Sequence, residues 1–387
     1  MATVGIICEY NPFHNGHKKQ LDILRRQLGD DTRIVCLMSG NFVQRGEPAL
    51  FDKFVRAKAA VLCGADLVLE LPVTSAISSA EGFAQGAVSV LSKLSGIDYL
   101  CFGSECGSLS AIWKTAEALI CPEFRAALCE QTEKNISYAA ARQIALSQIS
   151  PDSALLSSPN DILAVEYCKA LLQQDASIKP LLIKREGSYL AELPDHENPS
   201  AKSLRILDKK SLFAYVPEEA YTLYEAAPTY RMEYAERAVL ARLRAMTEEE
   251  YAALPYGNEG LWRRFMHAGR EAGCPKELIE TVKSKRYPYT RISRMLLCAY
   301  LGITKEQLSV QPDYVRILAA DPAGTKLLRQ FREKGRILLM NAGETPKNRE
   351  YYALECRCAE LYSLLCEPEY MPENRSEQKG RIFLKKM

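Results

Sequence analysis

The stretch Val4-Gly5-Ile6-Ile7-Cys8-Glu9-Tyr10-Asn11-Pro12-Phe13-His14-Asn15-Gly16-His17 decides how the chain folds. Its opening is a short apolar run that reads as a buried strand. Beyond it, residues 18–28 carry Leu21, Leu24, Arg25 and Leu28 at helical spacing. His14-Asn15-Gly16-His17 therefore stands at a strand-to-helix turn. A helix start offers free backbone N–H groups and the positive end of the macrodipole, both suited to phosphate. Gly16 lets the backbone come close to a ligand, and two imidazoles three residues apart can face one point from a single turn. The stretch reads as a site for nucleoside triphosphate chemistry.

Outward from this stretch, strand patterns at 4–8, 33–38, 67–71 and 99–102 alternate with helical patterns at 16–28, 52–63 and 79–94. The rhythm predicts an α/β fold, a Rossmann-like doubly wound parallel sheet. Ligands of such sheets bind at the carboxyl ends of the strands. There lie 9–17 after the first strand, 39–48 after the second and Gly103-Ser104-Glu105 after the fourth. Segments 108–147 and 159–173 read as helices flanking the sheet. Residues 179–184 read as a further strand, followed by Arg185-Glu186-Gly187. The stretch 187–199 is polar and turn-rich, with Pro194 and Pro199. Ser200-Ala201-Lys202-Ser203-Leu204-Arg205 then opens a short helix. From there the patterns are mostly helical, at 217–226, 231–245, 258–272, 275–285 and 290–302. Residues 314–319 and 336–339 are short strand candidates, and the last twenty residues read as a polar, partly mobile tail. The division drawn is a nucleotide-binding domain over 1–210 and a mostly helical, basic domain over 211–387.

The chain of 387 residues is 47% hydrophobic and 25% charged, an ordinary globular balance. It enters a strand directly after Met-Ala-Thr-Val, so no signal peptide or membrane span is expected, and the expected location is cytoplasmic. The 13 cysteines are scattered, with no C-x-x-C spacing. Cys356 and Cys358 form C-x-C on a helical pattern, which sends the two thiols in different directions. Reduced thiols and no metal site are expected. The net charge of +2 hides an asymmetry: residues 1–198 hold 18 Lys+Arg against 23 Asp+Glu, and residues 199–387 hold 32 against 25. A basic second half predicts an anionic macromolecule bound mainly there.

His14-x-Gly16-His17 together with Ser200-x-x-Ser203-x-Arg205 resembles the H-x-G-H nucleotidylyltransferase superfamily, in which two such segments close on the triphosphate of ATP. Lys202 stands where the superfamily usually has Thr. The resemblance extends further: Glu9 to His17; Met38-Ser39-Gly40-Asn41-Phe42-Val43-Gln44-Arg45-Gly46-Glu47-Pro48; Phe102-Gly103-Ser104-Glu105; Ser158-Pro159-Asn160-Asp161-Ile162-Leu163; Lys283-x-Lys285-Arg286-Tyr287-x-Tyr289-Thr290-Arg291; and Tyr314-x-Arg316. These are collinear and resemble the tRNA-methionine cytidine acetate ligase family. The resemblance implies that acetate is activated with ATP as acetyl-adenylate, releasing pyrophosphate. The acetyl group then passes to N4 of the wobble cytidine of elongator tRNA-Met. It implies ATP with Mg²⁺ carried on it, no coenzyme A, tRNA as the macromolecular partner, and neither membrane nor protein partner.

On this reading His14, His17, Ser203 and Arg205 are the catalytic set, the histidines stabilising charge on the α-phosphate and departing pyrophosphate. Ser203 and Arg205 would hold the β- and γ-phosphates, Arg through its planar fork. The ATP-binding set is Ile7, Cys8, Glu9, Tyr10, Asn11, Pro12, Phe13, His14, Asn15, Gly16, His17, Lys18, Lys19, Gln20, Gly103, Asn160 and Arg185. Asn41, Gln44 and Arg45 would meet the acyl group, the target base or a tRNA phosphate. Lys283, Lys285, Arg286, Tyr287, Tyr289 and Arg291 would contact RNA by charge and stacking. Plainer readings stand beside these: capping or core histidines, a Ser N-cap, a turn glycine, a solvated loop, a solvated helix end. His196 and His267 read as surface and helix-packing residues. Two other functions share parts of the pattern. A small-molecule adenylyltransferase of coenzyme synthesis needs the H-x-G-H site but no basic helical half. A non-catalytic RNA-binding protein needs the reverse.

Overall fold

The computed structural model describes residues 1–134, 136–185, 200–371, 376–380 and 382–385. His196 and the turn-rich stretch 187–199 lie outside the described residues. The strands are β1 Thr3–Cys8, β2 Arg33–Ser39, β3 Phe42–Val43, β4 Glu47–Pro48, β5 Leu67–Leu71, β6 Tyr99–Ser104, β7 Lys179–Lys184, β8 Tyr314–Ala320, β9 Leu338–Met340 and β10 Phe383–Leu384. The main sheet runs β10-β8-β5-β2-β1-β6-β7, with β9 paired to β8, while β3 and β4 form a separate hairpin.

β1 is central and parallel to both neighbours, in register Val4↔Ile34 and Val4↔Tyr99. Its apolar run is what a strand covered on both faces requires. Alternation along β2 splits the core. Ile34, Cys36 and Met38 face Leu21, Leu24 and Ala57 of the Asn15–Leu28 and Lys53–Leu62 helices. Val35 and Leu37 face Phe83, Val88 and Leu91 of Ala80–Leu94, and Ala164 and Cys168 of Pro159–Gln173. Residues 108–147 resolve into three helices, Leu109–Ala118, Pro122–Thr132 and Tyr138–Ser147. A separate core holds the basic half together, packing Phe265, Leu278, Leu296 and Tyr362. No helix among the described residues is long and apolar enough to cross a membrane.

The second half is not wholly helical, and the division at 210 does not coincide with the edge of the sheet. β8 lies antiparallel beside β5, with Leu67 opposite Ala320 and Val68 opposite Ala319. β10 continues outward, Phe383 pairing with Ala319. The physical reason is the β5 edge: every residue of β5 is buried, so its outer N–H and C=O groups need a partner strand. Part of the polar tail is built into the fold. Glu377 is 3% exposed and pairs with Lys53 and with Arg316, the latter at 2.6 Å.

These contacts belong to a buried ionic network. Lys53 meets Glu70 at 2.8 Å, and Arg316 meets Glu70 at 3.3 Å and Glu355 at 3.1 Å. Three carboxylates share two cations, and burial pushes Glu70 up to about 7 against the pull of Lys53. The network joins β5, β8, the Arg349–Ser363 helix and the C-terminal segment. Arg316→Met would leave the carboxylates with Lys53 alone. The expected loss is roughly 3–5 kcal/mol of unfolding free energy, the cost of breaking a buried pair. Urea denaturation at pH 7 measures it, and a loss below about 1 kcal/mol would show the network to be dispensable.

Candidate active site

His14 is the N-cap of the Asn15–Leu28 helix, held in extended conformation by its own side chain. Its Nδ1 accepts from the Gly16 N–H at 3.1 Å, and the His14 N–H donates to His17 Nδ1 at 3.3 Å. This is a capping box built from two histidines. The capping and functional readings thus meet in one residue pair. The rings stack with centroids 3.7 Å apart.

Burial, with Arg185 nearby, lowers His14 to about 3. His17 is lowered by burial, by His14 and by Arg185. Both rings are therefore neutral at pH 7. Each Nδ1 accepts from a backbone N–H, so each proton sits on Nε2. The pair thereby presents two N–H donors without carrying charge of its own.

The expectation of free backbone N–H groups at this turn is corrected. Asn15 N–H donates to the Tyr215 carbonyl at 2.9 Å, and His17 and Lys18 N–H both donate to the His14 carbonyl. With Gly16 N–H on His14 Nδ1, the first turn is fully capped. The imidazole Nε2–H groups, and not the backbone, are left for an anion.

A cleft of about 1170 Å³ opens at the carboxyl ends of β1, β6 and β7. Ile7, Cys8, Glu9, Tyr10, Asn11, His14, His17, Gln20, Gln44, Arg45, Gly103, Asn160, Arg185 and Arg205 line it. An adjoining pocket of about 670 Å³ shares His14, His17, Gly103 and Arg185 and adds Gly16 and Lys19. Gly103 lies under Arg185: a Cβ there would sit 2.8 Å from the arginine Cγ. Asn160 accepts from Arg185 at 3.5 Å and donates to Glu105 at 2.5 Å. Arg205 donates to the Asn11 carbonyl at 3.3 Å and lies 3.7 Å from Glu47.

Other bonds of the expected residues tie the cleft to the fold. Asn11 Oδ1 accepts from Leu50 N–H at 2.7 Å, and Phe13 N–H donates to the Tyr224 hydroxyl at 2.9 Å. Pro12, Phe13, Asn15 and Lys18 do not line either cavity. Ser203 is 2% exposed and donates to the Ser200 carbonyl at 2.9 Å. Asn41 accepts from Lys53 N–H at 3.1 Å and lines a separate cavity of about 300 Å³. Sequence reasoning missed Phe83, Phe102, Leu163, Tyr167 and Lys184, which also line the two pockets. Phe102 and Lys184 could have been found, since both stand at the carboxyl ends of strands. Phe83 and Tyr167 look like ordinary helix core from sequence.

The hairpin bridges the cleft to the helical half. Gln44 N–H donates to Glu9 at 3.0 Å, while Arg294 donates to the Gln44 carbonyl at 3.4 Å and Ser293 to the Gly46 carbonyl at 3.0 Å. Gly46 has φ +77, and a Cβ there would lie 2.4 Å from the Arg294 nitrogen. Only glycine allows this approach. In the basic run, Lys283 pairs with Glu280 and Arg286 with Glu259. Arg291 lies over the Tyr287 ring and donates to the Tyr256 carbonyl. Lys285 and Tyr289 are exposed. Part of this run is thus spent on local structure. Among the described residues, no group of three or more His, Cys, Asp or Glu could hold a metal ion.

The lowered imidazoles set a pH dependence. Between the ordinary value of 6.5 and about 3, unfolded His14 binds a proton that folded His14 refuses. Stability therefore falls as pH drops through this window, by up to roughly 1.4 kcal/mol per pH unit for the group. His14→Asn keeps a capping side chain and removes the titration. Urea unfolding at pH 7 and pH 5.5 is expected to show a smaller loss for the variant. Equal losses would mean that His14 titrates normally.

Comparison with known proteins places the chain. The HIGH nucleotidyl transferase family model matches residues 1–378. A tRNA(Met) cytidine acetate ligase of Acetivibrio thermocellus is 38% identical over 366 residues, 88% of each chain. One of Clostridium perfringens is 35% identical over 394 residues, 94% of this chain and 96% of its own. The crystal structure of Thermotoga maritima TmcAL in its apo form I matches with a TM-score of 0.91 and 29% identity, over 99% of this chain and 100% of that one. Form II of that protein, bound with alpha-thio ATP, matches with a TM-score of 0.88 and 28% identity over 100% of both chains. From the strand order, the paired histidines and these likenesses together, the chain belongs to the tRNA(Met) cytidine acetate ligase family, among the HIGH nucleotidyl transferases.

Proposed function

We propose that this protein acetylates N4 of the wobble cytidine of elongator tRNA-Met, using ATP and acetate. The observation that carries the reading is the neutral His14–His17 pair, which offers two Nε2–H donors in a cleft shared with Arg185 and Arg205. The names of the relatives support the same reaction.

ATP enters as substrate with Mg²⁺ on its phosphates. Its triphosphate lies against His14, His17 and Arg205, and its adenosine lies toward Gly103, Asn160 and Arg185. An acetate oxygen attacks the α-phosphorus, and pyrophosphate leaves with its electron pair. Charge grows on oxygens that the two Nε2–H groups and the guanidiniums face, so alignment and fixed donors supply most of the rate. Neutral imidazoles suit this role because they need no desolvated charge before substrate arrives. The cytidine amine then attacks the acetyl carbon and AMP leaves. The reaction needs no coenzyme A and no protein nucleophile. Ser203 holds the turn that carries Arg205; its phosphate contact requires the hydroxyl to leave the Ser200 carbonyl.

Nucleoside mass spectrometry tests this on unmodified elongator tRNA-Met incubated with the protein, ATP, Mg²⁺ and isotopically labelled acetate. Labelled N4-acetylcytidine, formed without coenzyme A, is expected. His17→Ala is expected to lower its formation by at least ~100-fold, as loss of one transition-state donor does, while filter retention of the tRNA changes little. ATP cleaved to AMP and pyrophosphate with no labelled RNA would keep the adenylation site and mean that the acid or the RNA is a different one. Undiminished acetylation by His17→Ala would refute the site assignment.

A further inference from the structure

A second cavity lies behind Arg205. It has an empty volume of about 1300 Å³ and runs between the β3–β4 hairpin, the Ala201–Arg205 helix and the Tyr289–Leu301 helix. Arg205 lines this groove and the nucleotide cleft alike. The neighbours divide between the two: Arg45 and Ala201 face the cleft, Glu47 and Lys202 the groove. The two cavities are therefore back to back, separated by the hairpin tip and one arginine.

The groove carries three carboxylates, Glu47, Glu233 and Glu236, beside Lys202, Arg205, Arg231 and Lys276. Glu47 is 37% exposed, with the Arg205 guanidinium 3.7 Å away. Tyr289, 40% exposed, forms part of the wall. Glu47 and Tyr289 line the same groove, and burial, with the carboxylates of Glu47, Glu280 and Glu233, pushes the phenol up. Lys202 and Arg231 stand along the same groove.

A carboxylate accepts hydrogen bonds and donates none at neutral pH. The cytosine N4 amine is one matching donor, whereas uracil presents an oxygen at that place and would be repelled. A partly exposed tyrosine ring offers a stacking face to an unstacked base. Lysine and arginine beside it suit the flanking phosphates. Taken together, acceptor, ring and cations suit a single flipped-out base with an exocyclic amine, as cytidine is.

We propose that this groove is the subsite for the target cytidine, with Glu47 accepting from N4–H and Tyr289 stacking on the base. The proposal rests on the acetyl-transfer reading of the neighbouring cleft. In the transfer step N4 attacks the acetyl carbonyl carbon and a C–N bond forms. The bond from that carbon to the phosphate oxygen breaks, and AMP leaves with the electron pair. One N4 proton passes to the Glu47 carboxylate and from there to water. Arg205 borders both cavities: once pyrophosphate has left, its guanidinium turns to the adenylate phosphate, which uncovers Glu47 for the base and opens the way for N4 from groove to cleft. Adenylate formation thereby prepares the cytidine subsite.

The two half-reactions can be followed separately on the full chain. Acetate-dependent exchange of labelled pyrophosphate into ATP reports adenylation, and label from acetate in elongator tRNA-Met reports transfer. Glu47→Gln keeps the shape and removes the base. The ratio of transfer to exchange is expected to fall at least ~100-fold, with partial recovery in Glu47→Asp. Tyr289→Ala is expected to raise the KM for tRNA roughly tenfold, and Tyr289→Phe to leave it near the wild-type value. An unchanged ratio in Glu47→Gln, or equal loss of both half-reactions, overturns the proposal. A wild-type protein that exchanges pyrophosphate yet labels no cytidine overturns the acetyl-transfer reading itself, and the subsite with it.

Discussion

The arrangement depends on one buried arginine. Arg56 is wholly buried in the first turn of the Lys53–Leu62 helix. Its Nε donates to the Phe51 carbonyl at 2.8 Å, and its terminal nitrogens donate to the carbonyls of Glu9, Ser39 and Gly40. Glu9 follows β1, and Ser39 and Gly40 end β2. A buried guanidinium is costly unless its donors are satisfied. Here backbone carbonyls satisfy them, and in return two strand ends are fixed relative to each other. From those ends the chain departs to the histidine turn on one side and to the hairpin on the other. The spacing between His14, Gln44 and Arg45 is therefore set by a group that touches no substrate.

From this constraint the helical half acquires its place. The hairpin leaves β2, reaches Glu9 through Gln44, and lies against Ser293 and Arg294 at Gly46. The core below the Tyr289–Leu301 helix is separate from the two sheet cores. Yet the sheet and the helical half are locked at a second point, where β8, the Arg349–Ser363 helix and Glu377 share the ionic network with Lys53 and Glu70. The hairpin and this set of buried charges thus tie cleft and basic surface together, alongside bonds such as Asn15 N–H to Tyr215 and Phe13 N–H to Tyr224. For the proposed two-step reaction on ATP, acetate and tRNA, that rigidity supplies alignment.

Much of this was legible from sequence, for reasons that are local. β1, β2, β5 and β6 announce themselves by short apolar runs, and the helices between them by spacing of Leu and Ala. The histidine turn was visible because a strand pattern stops and a helix pattern starts around it. What escaped is non-local or too short to carry a period. β3 and β4 have two residues each. The strand at 314–320 was visible as an element, but its antiparallel place beside β5 follows from sheet order, which no local pattern encodes. Glu377 pairs with a lysine 324 positions away, so its burial could not be read from a polar tail. One signal did exist: Arg316 interrupts an otherwise apolar strand, and a charge there needs a buried partner. The histidine turn shows the converse: the pattern put both rings at one helix start, while the backbone N–H groups it offered to an anion are already used by the capping box and by Tyr215.

The central claim is that a carboxylate oxygen attacks the α-phosphate in the cleft held by His14, His17 and Arg205. Turnover with acetate labelled with ¹⁸O at both oxygens tests it most directly, with AMP and pyrophosphate analysed by mass spectrometry. Transfer through acetyl-adenylate leaves one ¹⁸O atom in AMP and none in pyrophosphate. Label in pyrophosphate or inorganic phosphate, or unlabelled AMP alongside acetylated tRNA, would contradict the account.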